Sequence, residues 1–584
     1  MSRTTLLLLV IIFFSACSNT DRQPNVIIIL ADDQGWGDLS INGNTSISTS
    51  NLDRMATSGV RFDRFYVSPV CSPTRAELLT GRYHTRSGVH GTSAGSERMN
   101  ADETTLGEVF QEAGYVSGVF GKWHNGQQPP YHPNSRGFDH FYGFASGHWG
   151  HYFSPPLELN NELVEGEGYL PDDLTQAAMA FITENRASPF LVFLPYNTPH
   201  SPMQVPDQWW DRVPGRFQDH PNAEREDTLH TRAALAMTLN IDWNVGRLLS
   251  LLDELSLSED TIVLYFSDNG PNGARWNAGM KGRKGSTDEG GVRSPLLMQW
   301  KGTLAANTVI TEITAAIDLM PTLAELTGIE LNTRHPLDGV SFAPLLTGRA
   351  EDLSERMIFS HWNGRTSVRT QTHRLDHTGQ LFNMVDDPEQ RQNIVSEYPE
   401  LADSLHRARE AWIDEAVPDS FEKWPFTVGH PDYEVTWLPA RDAVGSGGIH
   451  RSNRYPNDSF LMNWTRSDDA ILWDVEVLTA GNYMATLYYT AASGDEGAQI
   501  TLDFGDSAVG ARITEAHDPP EYGMDEDRVL RIESYVKDFR PLLLGPIFLE
   551  EGRSPLSLRA TSIPGTAVAD IRLLRLERIA DQGS

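Results

Sequence analysis

The sequence predicts an α/β fold, a parallel sheet covered by helices, with an all-β region behind it. Three observations carry this expectation: continuous apolar runs of strand length, helical patterns between them, and apolar–polar alternation after about residue 430. Runs without alternation suit strands buried on both faces, and their interleaving with helices suits an open sheet wrapped on both sides. The chain opens MSRTTLLLLVIIFFSACSNT, where one arginine precedes an apolar run from Leu6 to Phe14. That run is too short to span a bilayer and suits the core of a signal peptide over residues 1–17. The first strand follows in PNVIIILADD. TRAELLTG then reads as a helix with Pro73 near its start, where a missing N–H costs nothing. A helical pattern over residues 104–114 leads to the strand of YVSGVFGKWH, and one over 173–185 leads to SPFLVFLPYNTPH. A longer one, over 231–255, leads to DTIVLYFSDNG. Ligands in such folds bind beyond the carboxyl ends of the strands. Here those ends present Asp32 and Asp33, Lys122 and His124, His200, and Asp268 with Asn269.

After residue 430 the pattern changes. In AILWDVEVLTAGNYMATLYYTA, Val475 and Val477 alternate with polar residues, Gly481-Asn482 makes a turn, and Tyr483 to Tyr489 alternate again. This predicts an antiparallel hairpin. Short strands follow in QITLDFG, PIFLEEG, LSLRAT and ADIRLLRLER, so residues 440–580 read as a β-sandwich behind a catalytic region of 24–430. In style the sandwich is similar to carbohydrate-binding modules; the alternative is a purely structural domain packed on the first.

At 584 residues the chain exceeds one ordinary core, which also argues for two domains. A net charge of −32 argues against nucleic acid or an anionic membrane surface as the main partner. An anionic substrate would then need a locally basic pocket. Only two cysteines occur, Cys17 and Cys71. Phe14-Ser15-Ala16-Cys17 resembles the lipobox of bacterial lipoproteins, which implies lipidation of Cys17 and an exported protein of the periplasm or cell surface. Cys71 would then have no disulfide partner within the chain.

Cys71, at a helix start, is one candidate for a low-pKa thiolate. Asp32 and Asp33 at the end of a buried strand are costly without a compensating cation, and Asp268-Asn269 adds two more oxygen donors. Hard oxygen ligands without a Cys/His cluster suggest Ca²⁺ or Mg²⁺ rather than Zn²⁺. The alternative is one Asp capping a helix at each place. Lys122 and His124 stand two residues apart, so in extended backbone they share a face. Residues 128–153 are rich in His and aromatic side chains, and His148, Trp149, His151 and Tyr152 are candidate sugar contacts.

Cys71-Ser72-Pro73-Thr74-Arg75 matches the signature Cys-x-Pro-x-Arg, and the chain from about 24 to 425 resembles the formylglycine-dependent (type I) sulfatases, among them bacterial arylsulfatases and polysaccharide sulfatases. DLMPTLAELTG and LFNMVDDPEQRQNI fit that family's later segments. The resemblance implies an alkaline-phosphatase-like, mixed but mostly parallel sheet between helices. It implies that Cys71 is converted to formylglycine by a formylglycine-generating or sulfatase-maturing enzyme. One hydroxyl of the hydrated aldehyde then attacks the sulfur of a sulfate ester, and the other expels sulfate. It further implies a Ca²⁺ held by Asp32, Asp33, Asp268, Asn269 and residue 71, with Arg75 retained in the site. Lys122 and Lys284 would bind sulfate, although Lys281 lies three residues from Lys284. His124 would contact residue 71, and His200 would act as general acid. The expected substrate is a sulfated polysaccharide or oligosaccharide, an algal glycan such as ulvan or carrageenan among them. The rivals are a phosphate or phosphonate ester hydrolase on the same fold and a catalytically silent, surface glycan-binding protein.

Overall fold

The computed structural model describes residues 23–349 and 353–579. The expected signal segment and Cys17 lie outside them. Eleven strands build the central sheet. In chain order they are β1 (Asn25–Ala31), β2 (Val60–Tyr66), β3 (Val116–Lys122), β4 (His140–Phe144), β5 (Pro156–Leu159) and β6 (Glu162–Glu165). Then come β7 (Phe190–Pro195), β8 (Thr261–Ser267), β9 (Arg293–Gln299), β10 (Thr308–Ile310) and β11 (Thr314–Ala315). Across the sheet the order is β10-β2-β9-β8-β1-β7-β3-β4-β5-β6, with β11 also on β2. The middle five strands, β8-β1-β7-β3-β4, are parallel. Strand β9 runs antiparallel between β2 and β8, and the β5–β6 hairpin is antiparallel at the far edge. The fold is therefore the expected mixed, mostly parallel α/β sheet.

The reason lies in the apolar runs. Every residue of β1, β7 and β8 is buried. Val26, Ile28 and Leu30 enter the core on one face of the sheet, and Ile27, Ile29 and Ala31 enter the core on the other. One face is covered by the helices Leu170–Asn185 and Thr228–Glu254, the other by Cys71–Thr80, Leu106–Glu112 and Leu319–Thr327. The helix ends follow local chemistry. Thr105 Oγ1 accepts from Glu108 N while Glu108 Oε2 accepts from Thr105 N, a reciprocal cap at the start of Leu106–Glu112. Asp227 caps the longest helix by accepting from the N–H groups of Leu229 and His230.

Residues 358–383 form a small antiparallel sheet packed by the helix Pro399–Ala416. Two further six-stranded sheets then face each other across one apolar core. Their strands begin at Phe426, ahead of the expected 440. The expected hairpin is not formed. Ala470–Val477 pairs with Gly552–Ser562 in one sheet, whereas Gly481–Thr490 pairs with Arg540–Leu549 and Asp570–Arg578 in the other. Trp473 and Val475 thus meet Tyr483 and Leu487 across the shared core. Alternation fixes that one face of a strand is buried but not which sheet the strand joins, so the chain arches between sheets at 478–480. Among the described residues no helix is long and apolar enough to cross a membrane.

Candidate active site

Strands β8, β1, β7 and β3 are parallel neighbours, so their carboxyl ends share one edge of the sheet. Ala31 and Lys122 each end a strand, and a residue in the left-handed region follows shortly after: Asp33 and His124, both at φ 67. A conformation this uncommon for a non-glycine residue is held by the packing around it. One ligand atom from each of Asp32, Asp33, Cys71 and His200 lies within 4.8 Å of all the others. Asp268 stands behind them: its Oδ1 accepts from Asp33 N at 3.1 Å and its Oδ2 from Arg75 Nη2 at 2.8 Å. Asn269 donates through Nδ2 to Asp33 Oδ1 at 2.8 Å.

Three cations balance three carboxylates here. Arg75, fully buried, bonds Asp268 and also donates to the Lys122 carbonyl at 2.6 Å, tying β8 to β3. Lys122 Nζ meets Asp32 Oδ2 at 2.5 Å, and Lys284 Nζ meets Asp33 Oδ1 at 2.7 Å. Lys281 instead bonds Asp376 and Asp288, which makes Lys284 the lysine of the site. Burial opposes the charge on Asp32, yet Lys122, His200, Arg75 and Lys284 together hold its carboxyl well below the usual range. Burial also opposes the charge on Lys284, but Asp33, Cys71 and Asp32 together outweigh it and raise that pKa. Asp268 is less well compensated; burial and then Asp32 push it up to about 7.

Cys71 is the first residue of the helix Cys71–Thr80 and is 2% exposed. Burial pushes its thiol up to about 12 against the pull of Lys122 and Lys284, which overturns the low-pKa thiolate reading. His124 turns Nε2 to the Thr92 carbonyl at 2.9 Å and leaves Nδ1 buried without a hydrogen-bond partner. His200 has Nδ1 2.7 Å from the Ser201 carbonyl, so that nitrogen carries the proton, and Nε2 lies 3.7 Å from Asp33 Oδ2. Burial, then Lys284, lowers its pKa.

The donor set fits a hard divalent cation. Asp32 Oδ1 and Asn269 Oδ1 are both buried with no hydrogen-bond partner, a cost that a cation relieves. Carboxylate and amide oxygens dominate the group, the chemistry that suits Ca²⁺ or Mg²⁺.

Of the expected sugar contacts, His148 is buried, its ring 5.5 Å from that of His200. Trp149 stacks on Phe144 at 5.0 Å, and His151 stands edge-on to Tyr522 at 5.5 Å. Tyr152 is a correction. It is 1% exposed and its hydroxyl faces the carbonyls of Asn197, His200 and Ser201, so it holds the loop that carries His200 and presents nothing to a sugar. Sequence reading missed Thr74, whose hydroxyl donates to the Asp268 carbonyl at 2.6 Å, and Asn125, whose amide donates to the carbonyls of Ser72 and Glu97. Both sit inside or next to motifs already singled out. It also missed Glu533, which accepts from Ser201 Oγ at 2.9 Å, and Asp458, 3.6 Å from His148. Both come from the sandwich, and nothing in the sequence links them to residue 200.

Residues 24–329 match the family model described as Sulfatase, and residues 284–411 match N-sulphoglucosamine sulphohydrolase, C-terminal. The N-acetylgalactosamine-6-sulfatase of Mus musculus is 34% identical over 381 residues, 59% of this chain and 69% of the relative. Arylsulfatase G of Rattus norvegicus is 32% identical over 412 residues, 61% of this chain and 74% of the relative. The crystal structure of Ps i-CgsB in complex with k-i-k-neocarrahexaose is similar at 30% identity and a TM-score of 0.62, covering 69% of this chain and 95% of that one.

Proposed function

The chain belongs to the sulfatase family and is a sulfuric ester hydrolase; from that premise we propose that it removes O-sulfate from a glycan, using Ca²⁺ and a formylglycine made from Cys71. The observation that carries this reading is the pair of buried, unpartnered oxygens, Asp32 Oδ1 and Asn269 Oδ1, at the cluster that includes Cys71. Asp32, Asp33, Asp268 and Asn269 would hold the cation, whose charge would stabilise a sulfate oxygen in the transition state. Residue 71, if oxidised by a maturing enzyme to the hydrated aldehyde, would supply a geminal diol, one hydroxyl serving as nucleophile toward sulfur and the other allowing release of sulfate.

The remaining roles belong to the chain's own side chains. Lys122 and Lys284 bring positive charge to the sulfate in a pocket from which water is largely excluded, and so overcome the repulsion of a chain of net charge −32. Arg75 fixes Asp268 against the Lys122 backbone and keeps the donor set in register. His200, with its Nδ1 proton committed to the Ser201 carbonyl, would as the imidazolium present a second proton on Nε2 to the departing sugar oxygen. A maturing enzyme cannot reach a side chain 2% exposed, so conversion of Cys71 precedes closure of the fold. The names of two similar proteins, an N-acetylgalactosamine-6-sulfatase and a protein solved with neocarrahexaose, support a sulfated hexose in a polysaccharide or its fragments. A carrageenan-type algal galactan is the substrate we favour. Export to the periplasm or cell surface with lipid on Cys17 completes the proposal.

Mass spectrometry of the peptide containing residue 71 should show formylglycine, and Cys71→Ala should lose sulfate release by more than about 10³-fold with its thermal midpoint retained. Chelation should lower that midpoint, and added Ca²⁺ should restore it together with activity. An all-cysteine peptide from active enzyme, or turnover retained in Cys71→Ala, would sink the mechanism. Turnover of an aryl phosphonate measured beside an aryl sulfate ranks the two ester classes.

A further inference from the structure

We propose that the seam between the α/β body and the C-terminal sandwich is a subsite for an unsulfated sugar ring next to the sulfated one, so that the sandwich selects the glycan. This rests on the reading that the substrate is a sulfated glycan, and it assigns the sandwich a role in the same site.

The sandwich is docked on the rim of the sulfate pocket. Gln204 Nε2 donates to the Gly523 carbonyl and to Asp527 Oδ1, both at 2.9 Å, and Arg528 donates to the Val205 carbonyl at 2.7 Å. Arg531 Nη1 reaches the Gly150 carbonyl at 2.5 Å, and Glu533 accepts from Ser201, the residue after His200. Beside these contacts lies a cavity of about 250 Å³, with Trp149 and His151 on the catalytic side and Tyr522, Phe539, Lys537 and Arg572 on the sandwich side. A second cavity of about 110 Å³ shares Trp149 and Arg572 and continues along the seam. Drug-sized ligands occupy roughly 300–1,000 Å³, so the larger cavity suits a single ring.

Its walls have the chemistry of a sugar site. Trp149 and Phe539 are half-buried, Tyr522 is exposed, and all three border this space. Aromatic faces offer a sugar ring apolar contact, while polar groups at their edges bind its hydroxyls. Asp458, also in the wall, is 1% exposed, and its Oδ2 has no hydrogen-bond partner. Both ring nitrogens of His148, buried behind that wall, lack one as well. Unpaired polar atoms at a cavity wall are expensive unless a ligand or water meets them. The same side chains lead to the sulfate pocket: Asp458 Oδ2 is 3.6 Å from His148, the His148 and His200 rings are 5.5 Å apart, and His200 is 3.7 Å from Asp33. A ring in the cavity is therefore separated from the reacting centre by one histidine pair.

The charges decide which ring. Arg572 is held by Asp458 Oδ1 at 2.6 Å, and Lys537 by Asp518 and Asp570 at 3.1 and 3.0 Å. With both cations already paired and Asp538 also in the wall, a sulfate here would meet no uncommitted positive charge.

The test compares a sulfated monosaccharide with a tetrasaccharide containing the same sulfated ring. The series is carrageenan or 6-sulfated N-acetylgalactosamine, whichever the wild type turns over. In Tyr522→Ala the tetrasaccharide-to-monosaccharide ratio of kcat/KM should fall about five-fold or more, through KM, and Tyr522→Phe should restore it. Phe539→Ala serves if thermal unfolding shows that Tyr522→Ala does not fold. An unchanged ratio in the folded variant overturns the subsite and leaves the glycan reading standing. A wild type that hydrolyses an aryl sulfate but neither saccharide series overturns both.

Discussion

Cys71 heads a helix, where backbone N–H groups favour a negative charge, and two lysines lie close by. Burial nonetheless outweighs them and raises the thiol's pKa, which is consistent with the proposed conversion of this residue rather than with a working thiolate. Glu77, two turns along the same helix, shows desolvation prevailing over hydrogen bonds from Ser68 and the His84 backbone. Burial pushes its carboxyl up to about 8 from 4.5, although Ser68 Oγ donates to it at 3.0 Å. A carboxyl with its folded pKa raised contributes stability below pH 4.5 that is lost as pH rises through about 8. Glu77→Gln should therefore make the urea midpoint fall less steeply between those limits. Glu97 and Asp242, pushed up to about 7 and about 6, will leave part of the slope in place. An unaltered slope in Glu77→Gln would show that this carboxyl is ionised throughout. The site residues legible in the sequence, Asp32, Asp33, Cys71, Arg75, Lys122, His124, His200, Lys284, Asp268 and Asn269, each lie in a short local motif. Tyr152 misled because an aromatic residue in a loop has the same appearance whether it faces ligand or backbone carbonyls.

At the scale of elements, the site is a consequence of parallel pairing. Strands that run the same way end on the same edge, so segments up to 236 residues apart deliver Asp33 and Asn269 to one point. Their spacing depends on close backbone approach. Gly121, at φ +137 in β3, lies where a Cβ would come within 2.1 Å of the Pro195 carbonyl oxygen of β7. Gly121→Ala should destabilise by about 3 kcal/mol, the sum of backbone strain and overpacking, and should reduce turnover by displacing Lys122. A wild-type urea midpoint in that variant would refute the close approach. The helices were legible to within a turn because helical apolar patterning is local; the caps Asp227 and Thr105–Glu108 set where they start. The arch at 478–480 was not, because period-two alternation is identical for a hairpin and for strands facing each other across a core.

At the scale of the molecule, an acidic surface encloses a pocket in which Arg75, Lys122 and Lys284 match three buried carboxylates. The proposed anchor on Cys17 predicts that the protein sediments with membranes and that Cys17→Ser releases it to the soluble fraction; a wild type that is already soluble would refute it. The sandwich, separate in sequence, reaches back to Ser201, Gln204 and Gly150. By itself the sequence determined the fold class and singled out the metal-fitting carboxylates and the cysteine proposed for conversion, because each depends on a buried run or on residues within a few positions of one another. Only the tertiary structure decided that Lys284 rather than Lys281 serves the site, that Tyr152 faces inward, that Asp458 lines the seam cavity beside His148, and that Glu533 accepts from Ser201. Those facts depend on contacts between segments tens to hundreds of residues apart, where burial and charge pairing are set by packing and no local pattern records the partner.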